Sequence, residues 1–434
     1  MAAACLVEFL EVTDRVAIVL IGGLLAAFPA LASTFAYVFT LDGYMLALML
    51  AVAAPLCVKK WKYGFVPGAL CLAFSLGTYQ AYLPFAVILS IYGILMLAMQ
   101  EGAIRDKCTK VCSYLAMGVL GLALYYLLLQ ILLKLQGKVL DTYQGINSMA
   151  AGSGAEAAGA GTSLLTMIKT MYQDFLAFTL KGNVLINNIW SLIAFGLLAV
   201  GVLLVLGYRA KVYRWWKSVW FWGLLLLTAV GLPIATNLIL VISPDVTYHL
   251  LMRYQWVLYL ILPIAFISRY AEPKCSAALW ALVLAGALLV GNYTVTDNIA
   301  YSNLQKRYEK TYAYCVRLLD RMEQTPGYYQ GIPIAMIGVV GDEAYPSTDL
   351  TGDVTSNMIG MNGDVLLYTG DNYASFMRHY LGASLNILPA EVMSEIYYSE
   401  SYREMDSFPG ADSTKVVDGV LYVKTENIDR TEGK

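Results

Sequence analysis

The chain has 434 residues, of which 59% are hydrophobic and 14% charged, with a formal net charge of −2. Its mean hydropathy of +0.60 excludes an ordinary soluble globular protein, and several uncharged runs approach the ~20 residues a helix needs to cross a bilayer. The charge is unevenly divided. Residues 1–295 hold 18 Lys/Arg against 11 Asp/Glu, whereas residues 296–434 hold 11 against 20. A basic multispan domain, 1–295, followed by an acidic water-soluble domain, 296–434, is therefore expected.

In chain order, nine transmembrane helices are predicted at Val16–Ala27, Leu41–Val58, Phe65–Leu76, Leu83–Met99, Val111–Leu133, Ile189–Tyr208, Ser218–Ile242, Tyr254–Ile267 and Ser276–Gly291. Alternate loops collect the cations. Lys59, Lys60, Lys62, Arg105, Lys107, Lys110, Arg209, Lys211, Arg214, Lys217, Arg269 and Lys274 share one side, so the positive-inside rule predicts a cytoplasmic N-terminus and an extracytoplasmic C-terminal domain.

Between the fifth and sixth spans, GINSMAAGSGAEAAGAGTS reads as a flexible low-complexity segment. Next comes LLTMIKTMYQDFLAFTL, where Leu164, Ile168, Met171, Phe175 and Phe178 repeat at helical spacing opposite Lys169, Gln173 and Asp174. That pattern suits a helix lying in the membrane interface and equally one packed on the bundle.

The C-terminal domain reads as a small α/β fold. A helix over Ser302–Gln324 ends at Pro326-Gly327, and GIPIAMIGVVG is a buried strand. A helix capped by Asp371 exits at Gly382, Pro389 opens another, and KVVDGVLYVK forms a hairpin on its Asp-Gly turn.

No phosphate-cradling loop ending in Gly-Lys-Ser/Thr occurs, nor an HExxH or a nucleophile elbow. With only His249 and His379, and seven scattered Cys, no metal site, no cofactor and no disulfide framework is expected. Nucleic acid is not an expected partner. No ionisable residue falls near the centre of a span, which argues against ion-coupled transport.

What remains is a polar and aromatic set at the outer ends of the spans. FAYVFTLDGY supplies Tyr37, Asp42 and Tyr44; GTYQAY supplies Tyr79, Gln80 and Tyr82; PDVTYHLLMRYQ supplies Asp245, His249, Arg253 and Tyr254. Singly, each Tyr is an ordinary interfacial residue and each Asp a helix cap. Together they are sugar-binding candidates, with a carboxylate to orient a hydroxyl or accept its proton and an arginine to bind phosphate.

Several segments in order, FPALASTFAYVFTLDGYMLALMLA, LSLGTYQAYLPFAVILSI, YHLLMRYQWVLYLILP and DNIAYSNLQKRYEKTYAYCVRLLDRMEQ followed by IPIAMIG, resemble the bacterial membrane glucosyltransferase family of the type II O-antigen glucosyltransferases. The resemblance implies a GT-C-like all-α polytopic bundle. Its members move glucose or a similar sugar from a polyprenyl-phosphate carrier to a cell-envelope glycan outside the cytoplasmic membrane. It also implies further spans ahead of the FPALAS segment, with catalytic carboxylates in their outer loop. This chain holds no such loop: either it is N-terminally shortened or another carboxylate serves, and Asp42 is the candidate that remains. Two other classes fit the same spans: a flippase or transporter of lipid-linked saccharides, which lacks support from internal repeats, and a non-catalytic envelope scaffold.

Overall fold

The computed structural model describes residues 1–100, 102–138, 164–213, 219–242, 248–338, 352–356, 358 and 370–425. It divides into two compact units, Met1–Asn298 with Asn357–Ile359, and Ile299–Ser356 with Gly360–Lys434.

The first unit is helical: α1 (Ala2–Leu10), α2 (Arg15–Ala27), α3 (Pro29–Ser33), α4 (Leu41–Lys60), α5 (Phe65–Thr78), α6 (Leu83–Met99), α7 (Ile104–Gln136), α8 (Leu164–Lys181), α9 (Ile189–Val212), α10 (Val219–Thr236), α11 (Ile239–Ile242), α12 (Leu258–Tyr270) and the part of α13 (Ser276–Glu323) up to Asn298. Helix starts follow local chemistry. The Asp14 side chain accepts the Ala17 amide at 2.8 Å, and Asn188 with Ser191 closes a capping box on α9. Pro29 and Pro84 stand in the first turns of α3 and α6, where a missing N–H costs nothing.

The count of nine spans is not established. Among the described residues, six helical stretches are long and apolar enough to cross a membrane: Arg15–Lys60, Gln80–Met99, Ile104–Gln136, Ile189–Val212, Leu250–Tyr270 and Pro273–Glu323. Phe65–Thr78 and Trp222–Thr236 are shorter apolar helices. The first two predicted spans lie in one helical stretch interrupted by extended backbone at Phe28 and a kink at Tyr37, because residues 29–40 keep short-range bonds through α3 and a 3-10 turn, Thr34–Thr40. The predicted span Ser218–Ile242 is divided after Thr236, three residues beyond Pro233. Helix α1 was not anticipated at all, although Leu6, Phe9 and Leu10 bury one side of it.

With little hydrophobic drive between helices inside lipid, close packing rests on small residues. A Cβ at Gly68 in α5 would lie 2.7 Å from the Ala54 carbonyl oxygen and 3.1 Å from Met117, and one at Gly121 in α7 would lie 2.8 Å from Leu72. Ser75 Oγ donates to the Ala47 carbonyl at 2.8 Å, tying α5 to α4. Gly68→Val therefore overpacks a three-helix contact against backbone and is expected to cost about 1–3 kcal/mol, read as an earlier unfolding midpoint in detergent.

In the second unit, β1 (Pro333–Ile337), β2 (Asn386–Ile387), β3 (Thr414–Val417) and β4 (Val420–Lys424) form a sheet of order β2-β1-β4-β3, with β1 parallel to both neighbours and β3 antiparallel to β4. The helices there are α14 (Gly352–Thr355), α15 (Gly370–Phe376), α16 (Ala390–Tyr397) and α17 (Glu400–Arg403). The hairpin turns on Asp418 and Gly419, both at positive φ, as an Asp-Gly turn requires. Gly382 ends the α15 segment in the left-handed region. The capping role expected of the Asp371 side chain and the low-complexity segment lie outside the described residues.

Candidate functional site

The three sequence segments that carry the polar and aromatic set all fold as 3-10 turns at the ends of helices: Thr34–Thr40 before α4, Gln80–Tyr82 between α5 and α6, and Leu250–Val257 before α12. Each contains or follows a residue outside helical geometry. Tyr37 has φ −126 and ψ 47, Tyr79 is extended at φ −156 and ψ 104, and Arg253 has φ −103 and ψ 18. Such breaks let side chains on successive turns point into one region rather than spiral around a cylinder.

The rings form a connected series. Tyr44 lies 4.4 Å from Tyr79 between centroids, Tyr79 5.0 Å from Tyr82, Tyr82 6.2 Å from Tyr254, Tyr254 6.1 Å from Phe28, and Phe28 5.6 Å from Tyr293. Tyr37 also lies near the Tyr79 phenol, although its ring packs on Phe39. Tyr254 and Tyr293 are buried with satisfied hydroxyls, donating to the carbonyls of Leu25 and Leu185. The Tyr79 and Tyr82 hydroxyls are buried and have no hydrogen-bond partner among the described residues. Because a buried polar atom left unpaired costs about 1–3 kcal/mol, these two hydroxyls are candidates for hydrogen bonds to a polar ligand.

A cavity of about 750 Å³ is lined by Tyr79 but not by Tyr82. Thr78, Tyr79, Gln80 and Tyr125 form its polar wall, while Leu128, Leu129, Ile131 and Leu132 of α7 form an apolar one. Gln80 Nε2 donates to Tyr125 Oη at 2.5 Å, which leaves the amide carbonyl of Gln80 as an acceptor. The volume lies within the ~300–1,000 Å³ common for small-molecule sites. One wet wall and one greasy wall match a ligand that is polar at one end and hydrocarbon at the other.

The remaining candidates divide. Asp42 is exposed in the first turn of α4, with no side-chain hydrogen bond among the described residues, and Gly43 beside it faces Thr78 of the cavity wall. His249 is half-buried, and burial holds its pKa below the ordinary histidine value. Asp245 lies outside the described residues. Arg253 is engaged elsewhere: its two terminal nitrogens meet Asp174 at 2.7 Å each, Nε donates to the Tyr248 carbonyl at 3.3 Å, and the guanidinium lies 3.7 Å over the Tyr248 ring. The arginine offered by the sequence for phosphate is therefore occupied by a carboxylate of α8.

That ion pair belongs to a polar belt that docks α8 on the bundle. Asn237 Nδ2 donates to the Met171 carbonyl at 2.7 Å, Gln255 Nε2 to the Thr236 carbonyl at 2.9 Å, and Trp256 Nε1 to Thr179 at 3.2 Å. Met171 is buried, whereas Leu176 and Leu180 are exposed, so α8 packs along one side and exposes apolar residues on another.

Sequence reasoning missed Asp174 as the partner of Arg253, Tyr125 as the partner of Gln80, and Asp297. Asp297 is 6% exposed, lies near the Tyr254 phenol, and leaves Oδ1 without a hydrogen-bond partner among the described residues. Its signal was available: it is the first charge after the uncharged run Ser276–Thr296.

These features define a polytopic membrane protein with an amphiphilic cavity lined by Tyr79, Tyr125, Gln80 and Thr78 on one side and leucines on the other. The family model described as Glucosyl transferase GtrII matches residues 1–267, which include all three turns, and the chain belongs to that glucosyl transferase family. No curated protein and no solved structure matches the chain.

Proposed function

We propose that the protein transfers glucose or a similar sugar from a polyprenyl-phosphate carrier to a cell-envelope glycan at the outer face of the bacterial cytoplasmic membrane. The observation that carries this reading is the cavity beside Tyr79 and Gln80, with its polar wall for a sugar and its leucine wall for a prenyl chain. Membership of the glucosyl transferase family supports the chemistry, and the Lys/Arg distribution supports an N-terminus inside and a C-terminal domain outside.

In this reading an acceptor hydroxyl attacks the anomeric carbon as the bond to the carrier phosphate breaks, with inversion, and polyprenyl phosphate leaves. Asp42 takes the hydroxyl proton; being exposed, it is accessible to an acceptor arriving from water. The Tyr79 and Tyr82 hydroxyls and the Gln80 carbonyl hold sugar hydroxyls, and the rings of Tyr44 and Tyr79 pack against the sugar's C–H face. Asp297, near Tyr254, holds a sugar hydroxyl from below or serves as an alternative base.

The test uses membranes containing the full chain, supplied with polyprenyl-phosphate carrying labelled glucose and with envelope glycan. Label is expected in the glycan, and less of it with Tyr79→Ala and Gln80→Ala, each by about 10-fold for the loss of one or two sugar hydrogen bonds. Movement of the intact lipid-linked sugar across the bilayer with no labelled glycan would replace the transferase reading with a flippase.

A further inference from the structure

At the Lys/Arg-rich ends of the helices, with Lys59 and Arg269 in the last turns of α4 and α12, whose first turns follow two of the three 3-10 turns, a second polar cavity of about 200 Å³ is lined by Glu11, Lys59, Lys110, Arg269, Tyr92 and Tyr114, among others. Three cations and one carboxylate face it. Lys59 and Arg269 both contact Glu11, Lys59 at 3.0 Å, and their side chains are only 26% and 22% exposed. Lys110 Nζ donates to the Val58 carbonyl at 2.8 Å and lies within 3.4 Å of those of Lys59 and Trp61, closing the C-terminus of α4. One acid shared between two bases, with a third base held on carbonyls, leaves an excess of two positive charges in a partly desolvated place.

Tyr92 and Met96 of this cavity also line an apolar groove of about 310 Å³ formed by α6, α9, α10 and α12. Along α6 the groove runs from Ile88 to Met99, about 16 Å at 1.5 Å per residue, close to the ~15 Å of hydrocarbon in one leaflet. On α12 it ends at Phe266, three residues before Arg269. A basic pocket thus opens at the end of a hydrocarbon slot one leaflet deep.

We propose that this composite site binds an anionic glycerophospholipid, with the headgroup phosphate among Lys59, Lys110 and Arg269 and one acyl chain along the groove. Charge selects the headgroup, since basic pockets between transmembrane helices attract anionic lipid at about 1 kcal/mol per Lys or Arg. The slot distinguishes a lipid from a soluble anion: phosphate alone fills the pocket and leaves the groove untouched. The site is separate from the one proposed for sugar transfer and does not depend on it.

The experiment exchanges the full-length protein, purified in a neutral detergent, into phosphatidylglycerol, phosphatidylcholine or inorganic phosphate, and reads bound lipid by native mass spectrometry and the unfolding midpoint. Phosphatidylglycerol is expected to be retained over phosphatidylcholine and to raise the midpoint, with phosphate alone doing neither. Arg269→Gln and Lys110→Gln each lower the phosphatidylglycerol-to-phosphatidylcholine ratio about fivefold, a readout taken on folded protein and so indifferent to lost yield. Glu11→Gln raises that ratio by removing the competing carboxylate. Equal retention of both lipids, a midpoint shift reproduced by phosphate, or a lower ratio in Glu11→Gln overturns the proposal.

Discussion

Arg253→Met is expected to destabilise the protein by about 3 kcal/mol, among the largest effects of any single substitution here, because it leaves Asp174 ionised and largely buried without its partner. The pair is bidentate, with both contacts at 2.7 Å, and the two side chains are 9% and 25% exposed. Arg253→Lys restores the charge but not the planar fork, so it recovers only part of the loss. The double variant Arg253→Met/Asp174→Leu removes the stranded charge along with its partner and is expected to return most of the stability. Unfolding in detergent gives the size of the effect, and protease cleavage within Leu164–Lys181 tells whether α8 has detached. If Arg253→Met unfolds within about 0.5 kcal/mol of the parent, the belt does not hold α8 in place.

Asp42→Asn is expected to lower sugar transfer by a factor of about 10²–10⁴, the range for losing a general base, while leaving the fold intact. The second half follows from its surroundings: Asp42 is exposed and has no side-chain hydrogen bond among the described residues, so only its interaction with the α4 N-terminus is lost, about 0.3–1 kcal/mol. Asp297→Asn is the paired experiment. It keeps the shape of a buried group near Tyr254 whose Oδ1 has no hydrogen-bond partner among the described residues, so its effect on folding is modest. Transfer that survives Asp42→Asn and disappears in Asp297→Asn moves the base from the first turn of α4 to the tyrosine cluster.

The site was partly legible in the sequence because its residues come in three short clusters. Tyr79, Gln80 and Tyr82 stand together in a segment whose Gly77 and Pro84 bracket a turn, and the structure places Tyr79 and Gln80 on a cavity wall. Arg253 shows where such reading stops. A lone arginine beside aromatic residues looks equally free for phosphate or committed to a carboxylate, and its partner Asp174 lies 79 positions away on another helix. Tyr125 is similar: in a 33-residue helix, no local pattern tells that its hydroxyl meets Gln80, 45 residues earlier.

Composition and periodicity by themselves determined that this is a multispan helical protein with an acidic α/β C-terminal region, and they located a helix in each predicted stretch, the buried strand at Pro333–Ile337 and the Asp-Gly hairpin. These are local properties: hydropathy over about 20 residues, alternation over five, and a turn over two. Tertiary structure alone decided which helical stretches fuse and which stay short, which side of α8 docks, and which polar groups are paired. Those outcomes depend on energies between distant residues, such as the close approach at Gly68 and the desolvated Arg253–Asp174 pair, and such energies leave no trace in the neighbouring sequence.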